Sequence, residues 1–254
     1  MPGDVAIFTI THNEREFLPR WVDHYSGCGD LYVLDHESTD GSMAGLAARG
    51  VIIIPIRNPH VWDHDWILER CRAFQVLLLF KYRVVLFSTP DELVVYTKGQ
   101  LRDYLSAFTG QYIYCGMGYH VMDMTHAKEP RGEIPLDWTK PLLFQRYWWV
   151  PDITYGKPLI ATRPLFWTAG FHGASDAEEK RDPDLILVHL HRIDFHQALV
   201  RHKRMLDKPL HPSIGAGFGP TLVGEEYRHW FYDLIETYHL PVEEIPDEIR
   251  RGTI

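Results

Sequence analysis

The chain has 254 residues, of which 45% are hydrophobic and 24% charged, with a formal net charge of -8 at pH 7. This length suits one α/β domain with a large core, and the acidic balance excludes the clustered basic surface expected of a nucleic-acid-binding protein. The cysteines Cys28, Cys71 and Cys115 lie far apart without a C-x-x-C pair, so neither a disulfide framework nor a zinc cluster is indicated.

In chain order, Met1-Pro2-Gly3-Asp4 carries no basic stretch followed by an apolar run, so no secretory leader is expected and the expected location is cytoplasmic, the inner face of the membrane included. Val5 to Ile10 reads as a buried parallel strand. Phe17, Leu18, Trp21, Val22 and Tyr25 recur at helical spacing and stop at Gly27 and Gly29. Leu31 to Leu34 is a second strand, Met43 to Arg49 a short helix stopped by Gly50, and Val51 to Ile56 a third strand. Trp66 to Tyr82 is a long helix feeding the strand Val84 to Phe87, and Leu101 to Phe108 is another helix. The most apolar stretch, Val76 to Phe87, is broken by Lys81 and Arg83 and is too short to span a bilayer, which takes roughly 20 apolar residues.

From Tyr112 to Trp167 the pattern breaks into short apolar runs with repeated prolines and Trp138, Trp148, Trp149 and Trp167. This is read as an irregular, aromatic-rich acceptor half of a cleft. Leu185 to Val188 is the last expected strand, Phe195 to Met205 and Glu225 to Tyr238 are helices, and the acidic tail beyond is expected to be mobile. Strand and helix alternation predicts right-handed crossovers and an α/β fold with a central, mostly parallel sheet flanked by helices. One domain is expected over 1–254, with a nucleotide-binding half at 1–110, an acceptor and metal half at 111–205, and a helical extension at 206–254.

The informative polar residues follow directly on these strands. They are Thr11-His12-Asn13-Glu14 after the first, Asp35-His36-Glu37-Ser38-Thr39-Asp40-Gly41-Ser42 after the second, Thr89-Pro90-Asp91-Glu92 after the fourth, and His189-Leu190-His191 after the last. Parallel strands present their carboxyl ends to one side of a sheet, the usual ligand edge of open α/β proteins.

An N-E motif after the first strand, a Trp-containing helix, D-x-x-S-T-D-G-S after the second strand and a later acidic D-E-L cluster together resemble GT-A-type glycosyltransferases, the family-2-like bacterial enzymes in particular. The resemblance is strongest over residues 5–95 and returns at Lys157-Pro158, Gly170-Phe171-His172 and His189-Leu190-His191. It implies transfer of a sugar from a nucleotide-sugar, a UDP- or GDP-sugar, to a glycan or glycoconjugate acceptor in polysaccharide biosynthesis. Peripheral membrane contact stays open, and no transmembrane segment or nucleic-acid partner is expected.

The resemblance also implies a divalent cation, Mn²⁺ or Mg²⁺, at a D-x-D after the fourth strand. Here Thr89 replaces the first Asp, which leaves Asp91 as the metal candidate, with His189 and His191 as further ligands. Imidazole suits Mn²⁺ better than Mg²⁺. The family also implies that Asp35 receives the nucleobase or ribose, with Thr11, Asn13 and Glu14 beside it. Asp40 joins these donor-binding candidates, although the Ser-Thr-Asp-Gly sequence before a helix also reads as an N-cap.

Lys157 is a candidate phosphate partner, as is Arg146, and His172 is placed near the acceptor. An inverting displacement needs a carboxylate base, for which Asp123, Glu133 and Asp176 are the candidates, with Asp137 and Asp152 also in range. The sequence does not choose among them. Two rival readings remain: a metal-independent or inactive relative, motivated by Thr89, and a nucleotidyltransferase, which would carry a glycine-rich phosphate loop where Thr11-His12-Asn13-Glu14-Arg15 has no glycine.

Overall fold

The computed structural model describes residues 4–61, 63–124, 135–212, 222 and 224–252. Strands β1 (Val5–Thr11), β2 (Asp30–Asp35), β3 (Ile52–Pro55) and β4 (Val84–Phe87) are parallel, in the order β4-β1-β2-β3. Every residue of β4 is buried, as are all but one of β1. That burial on both faces is why the two strands read as continuous apolar runs. Helix α1 (Phe17–Tyr25) buries Phe17, Leu18, Trp21, Val22 and Tyr25 as the periodicity predicts. Helix α2 (His64–Leu79) begins two residues earlier than expected because Asp63 caps it, accepting the Trp66 backbone N–H at 3.1 Å.

The remaining strands extend this sheet with mixed polarity. They are β5 (Glu92–Tyr96), β6 (Tyr112–Val121), β7 (Trp148–Asp152), β8 (Ile160–Ala161), β9 (Arg181–His189) and β10 (Glu243–Glu244). β8 joins β4 to β6 by antiparallel pairing, while β9 pairs parallel with β6 and antiparallel with β5. Helices α3 (Leu101–Ala107), α4 (Leu142–Gln145), α5 (Phe195–Met205), α6 (Gly224–Glu236) and α7 (Asp247–Gly252) complete the described elements. A satellite core of Met122, Met124, Val150, Ala198, Tyr227 and Phe231 packs α5 and α6 against β7.

Four local expectations are corrected. Residues 43–49 form turns ending in a 3-10 turn at Ala47–Arg49, so Asp40 caps no α-helix. The segment after Asp91 is a strand, and the region expected to be irregular contains the long strand β6. Both strands take their hydrogen bonds from partners distant in sequence, which local periodicity does not report. The acidic tail is docked, because Ile245 and Ile249 are buried in the main core and β10 pairs with β7.

Candidate functional site

The carboxyl ends of β4, β1 and β2 lie side by side, with Thr11 paired in register with Asp35 and Phe8 with Phe87. Over this edge opens a cavity of about 360 Å³, lined by Thr11, Glu14, Asp91, Glu92, Lys157, His172, His189, His191 and Arg201 among others. Helix α1 fixes the loop that carries Asp91: the Trp21 indole donates to Ser88 Oγ at 2.8 Å, and the Tyr25 hydroxyl accepts the Val94 N–H at 2.8 Å. Within the loop Thr89 Oγ1 donates to Asp91 Oδ1 at 2.8 Å. The residue in the place of the first Asp thus orients the second and leaves Oδ2 for other partners.

Three groups converge on Asp91 Oδ2: His189 Nε2 at 3.5 Å, His191 Nδ1 at 3.4 Å and Arg201 Nη1 at 2.8 Å. Strict strand alternation would send His189 and His191 to one face while holding them apart along it, so both reach one ion only if the backbone bends. The chain instead leaves β9 after His189, and the Leu190 N–H donates to the Asp91 carbonyl at 2.8 Å. One ligand atom from each of Asp91, His189 and His191 falls within 4.8 Å of the others, a spacing that fits one shared ion. A carboxylate with two imidazoles is a donor set for a borderline divalent cation.

Burial raises the Asp91 carboxyl, but the Arg201 charge beside it holds it well below the usual carboxylate range. Burial lowers the His191 imidazole to about 3. Arg201 also grips Glu14 through Nε and Nη2. Two buried carboxylates therefore share one guanidinium, and burial pushes Glu14 up to about 7.

On the opposite wall, Lys157 Nζ lies 2.6 Å from Glu92 Oε1, and both side chains are buried. Burial raises the Glu92 carboxyl, but the Lys157 charge more than offsets it and the net shift is downward. Glu92 Oε2 and Thr11 Oγ1 are buried without a hydrogen-bond partner among the described residues. His172 donates Nδ1–H to the Thr154 carbonyl at 2.9 Å, leaving its Nε2 as an acceptor. Gly170 is required beside it: its φ is +70°, and a Cβ there would lie 2.6 Å from the His172 ring.

Other sequence candidates have structural work. Asn13 clamps the β1 and β2 loops, its Oδ1 accepting the Thr39 and Asp40 N–H groups at 2.7 and 3.2 Å, with its own φ at +57°. Asp40 accepts the Arg15 and Ser42 N–H groups, and Asp35 accepts that of Ser38. None of Asn13, Asp35 and Asp40 lines the cavity. Among the proposed bases, Asp123 pairs with Arg146 and accepts the Phe195 N–H. Asp176 pairs with Arg163 and accepts the Phe166 N–H, Asp137 accepts from Thr139, and Asp152 accepts from Thr154. Glu133 lies outside the described residues.

Sequence reading missed Arg201 and His120, and took Glu92 only as part of the acidic cluster beside Asp91. Arg201 left a signal: Ala198, Arg201, His202 and Met205 are the buried face of α5, so a cation stands where an amphipathic helix would place an apolar residue. His120 left none, because only the pairing of β6 with β9 brings it beside His189.

No family model matches the chain, and no curated protein matches it in sequence. Among solved structures it is similar to S. aureus TarS residues 1–349, at 13% identity and a TM-score of 0.38, covering 93% of this chain and 81% of that one. It is also similar to a Bacillus anthracis protein named for a proposed glucose-1-phosphate thymidylyltransferase activity and solved with sucrose. That match has 13% identity and a TM-score of 0.28, covering 47% of this chain and 55% of that one. Overlap this low carries no functional argument, so the chemistry rests on the residues of the site.

Proposed function

We propose that this protein is a glycosyltransferase that moves a sugar from a nucleoside-diphosphate donor to a hydroxyl acceptor in the cavity above β4 and β1. The observation that carries this reading is the convergence of His189, His191 and Arg201 on Asp91 Oδ2 at the carboxyl edge of a parallel sheet. The motifs after β1, β2 and β4 support it by their resemblance to GT-A enzymes. Asp91, His189 and His191 would hold a divalent cation, Mn²⁺ in preference to Mg²⁺. Such an ion supplies charge neutralisation for the departing diphosphate.

The chain's own residues supply the rest. Lys157 and Arg201 are the buried cations lining the cavity and offset phosphate charge. Glu14 and Asp91 are held by Arg201, whereas Glu92 has one oxygen free of hydrogen bonds to the described residues. Glu92 Oε2 accepts the acceptor's hydroxyl proton as that oxygen bonds to the anomeric carbon, and the pair of electrons in the broken anomeric bond leaves on the diphosphate oxygen. In this reading residues 1–110 hold the donor and the site lies in a cytoplasmic enzyme.

A thermal-shift series with UDP, GDP and other nucleoside diphosphates, each with and without Mn²⁺, tests this directly. A nucleotide that stabilises the fold, and does so more strongly with Mn²⁺, supports the reading. No stabilisation by any of them overturns it. A specific observation favours a metal-independent variant, since Arg201 Nη1 already sits 2.8 Å from Asp91 Oδ2 and 2.9 Å from His191 Nδ1. Nucleotide-dependent turnover that persists in excess chelator would select that version.

A further inference from the structure

The strand pairing that the sequence hid lines up three polar residues. In register, His189 of β9 stands between His120 of β6 on one side and Glu92 of β5 on the other. His120 is 2% exposed and is held at both ring nitrogens. Its Nε2 lies 3.3 Å from Asp152 Oδ2, and its Nδ1 lies 3.0 Å from His189 Nδ1.

Hydrogen-bond directions follow from what each atom is able to do. Asp152 is an acceptor whose other oxygen already receives the Thr154 N–H at 2.8 Å and the Thr154 hydroxyl at 2.6 Å. His120 Nε2 therefore carries the proton it shares with Asp152. In a neutral ring His120 Nδ1 is then a lone pair, and the single proton between the two Nδ1 atoms belongs to His189. His189 Nε2 is left as a lone pair, facing Asp91 Oδ2.

The opposite arrangement would turn a His120 lone pair toward the Asp152 carboxylate in a buried site. The separation of His189 Nε2 from Asp91 Oδ2, 3.5 Å, is also longer than the usual N–H···O range of 2.7 to about 3.2 Å. Two acceptors facing each other at that distance are stable when a cation sits between them. Ring orientation is locked as well. Tyr155 stacks on His189 with centroids 4.9 Å apart and meets the edge of His120 at 4.3 Å. Gly118 makes that packing possible, since a Cβ there would lie 2.2 Å from Tyr155 Cβ.

We infer that Asp152 and His120 are a positioning pair that fixes His189 as the Nδ1–H tautomer, making its Nε2 the atom that binds a divalent cation together with Asp91. The inference rests on reading the Asp91 cluster as a cation site. His189 then holds the ion through a nitrogen with a dedicated supporting shell, while His191 Nδ1 is shared with Arg201. Partners of this kind orient metal-binding imidazoles and typically change affinity by 10 to about 100-fold.

Long-range ¹H–¹⁵N spectra of the metal-free protein at neutral pH read the tautomer without any ion, and calorimetric titration with Mn²⁺ in the presence of a nucleoside diphosphate reads the site. The expected spectrum shows His189 protonated at Nδ1 and bare at Nε2. In H120L the Mn²⁺ affinity falls about 10- to 100-fold. In H120N, whose side-chain oxygen stands near the original Nδ1 and accepts the same proton, it recovers. Asp152→Ala weakens binding in the same direction, and circular dichroism melts confirm that each variant is folded. A wild-type His189 protonated at Nε2 overturns the inference whatever the variants do. Undiminished Mn²⁺ binding in folded H120L overturns the positioning role alone, whereas a wild-type protein that binds no divalent cation overturns the site itself and the ligating role with it.

Discussion

The Arg201 guanidinium donates to Asp91 Oδ2 at 2.8 Å and thereby holds the oxygen that an ion shared with His189 and His191 would use. Cation entry and this pairing compete for one atom. Arg201 is also held by Glu14 through Nε and Nη2, contacts that do not use the Asp91 carboxylate.

Replacing Arg201 by Gln should expose that competition. Removing one partner of a buried ion pair costs about 3 to 5 kcal/mol, so the metal-free melting temperature is expected to fall. Mn²⁺ should then stabilise the variant more than it stabilises the wild type, because Asp91 no longer has a competing partner. Equal Mn²⁺-induced changes in melting temperature in the two proteins would show that Arg201 and the ion do not share the site.

Gly170 offers a test of the opposite wall. Alanine there meets both a positive φ and the His172 ring 2.6 Å from the new Cβ. A non-glycine residue in such a conformation costs roughly 1 to 3 kcal/mol, and the imidazole must move. The expected result is a modest loss of thermal stability with a larger loss of transferase activity. A variant with full activity would place His172 outside the working site.

The pH dependence of stability should report the buried histidines. His24, which donates to the Val94 carbonyl, is lowered by burial from 6.5 to about 4. The unfolded chain takes up protons near 6.5 before the folded one does, so the favourable contribution is complete above that pH and is lost as pH falls toward 4. Every tenfold difference in proton affinity between the folded and unfolded chain corresponds to about 1.4 kcal/mol. Urea unfolding at pH 7.5, 6 and 5 should therefore show falling stability, and His24→Gln should flatten the slope. An unchanged slope in that variant would assign the dependence to other groups.

The half of the site that the sequence revealed is the half built on parallel strands. Val5 to Ile10 and Val84 to Phe87 are buried on both faces, so their apolar runs and the polar residues after them mark the ligand edge without knowledge of the sheet order. His120 reaches His189 only through the pairing of β6 with β9. No local pattern encodes that register. Asn13 and Asp40, donor-binding candidates by motif, hold the β1 and β2 loops together, where their short polar side chains satisfy backbone N–H groups.

Glu92 is the strongest test of the proposed chemistry, because it is assigned by elimination among the carboxylates that line the cavity. Glutamine keeps an oxygen for Lys157, which in the wild type is 2.6 Å from Oε1, but removes the basic oxygen. Turnover should fall about 10²- to 10⁴-fold, while calorimetry finds donor-nucleotide affinity essentially intact. Lys157 holds the carboxyl below its ordinary 4.5, so Glu92 stays ionised through neutral pH. Its loss of the basic form should place the acid limb of the wild-type rate below pH 4.5, and that limb should disappear in E92Q. Normal turnover in E92Q would return the base assignment to a carboxylate outside the described residues, with Glu133 the first to replace.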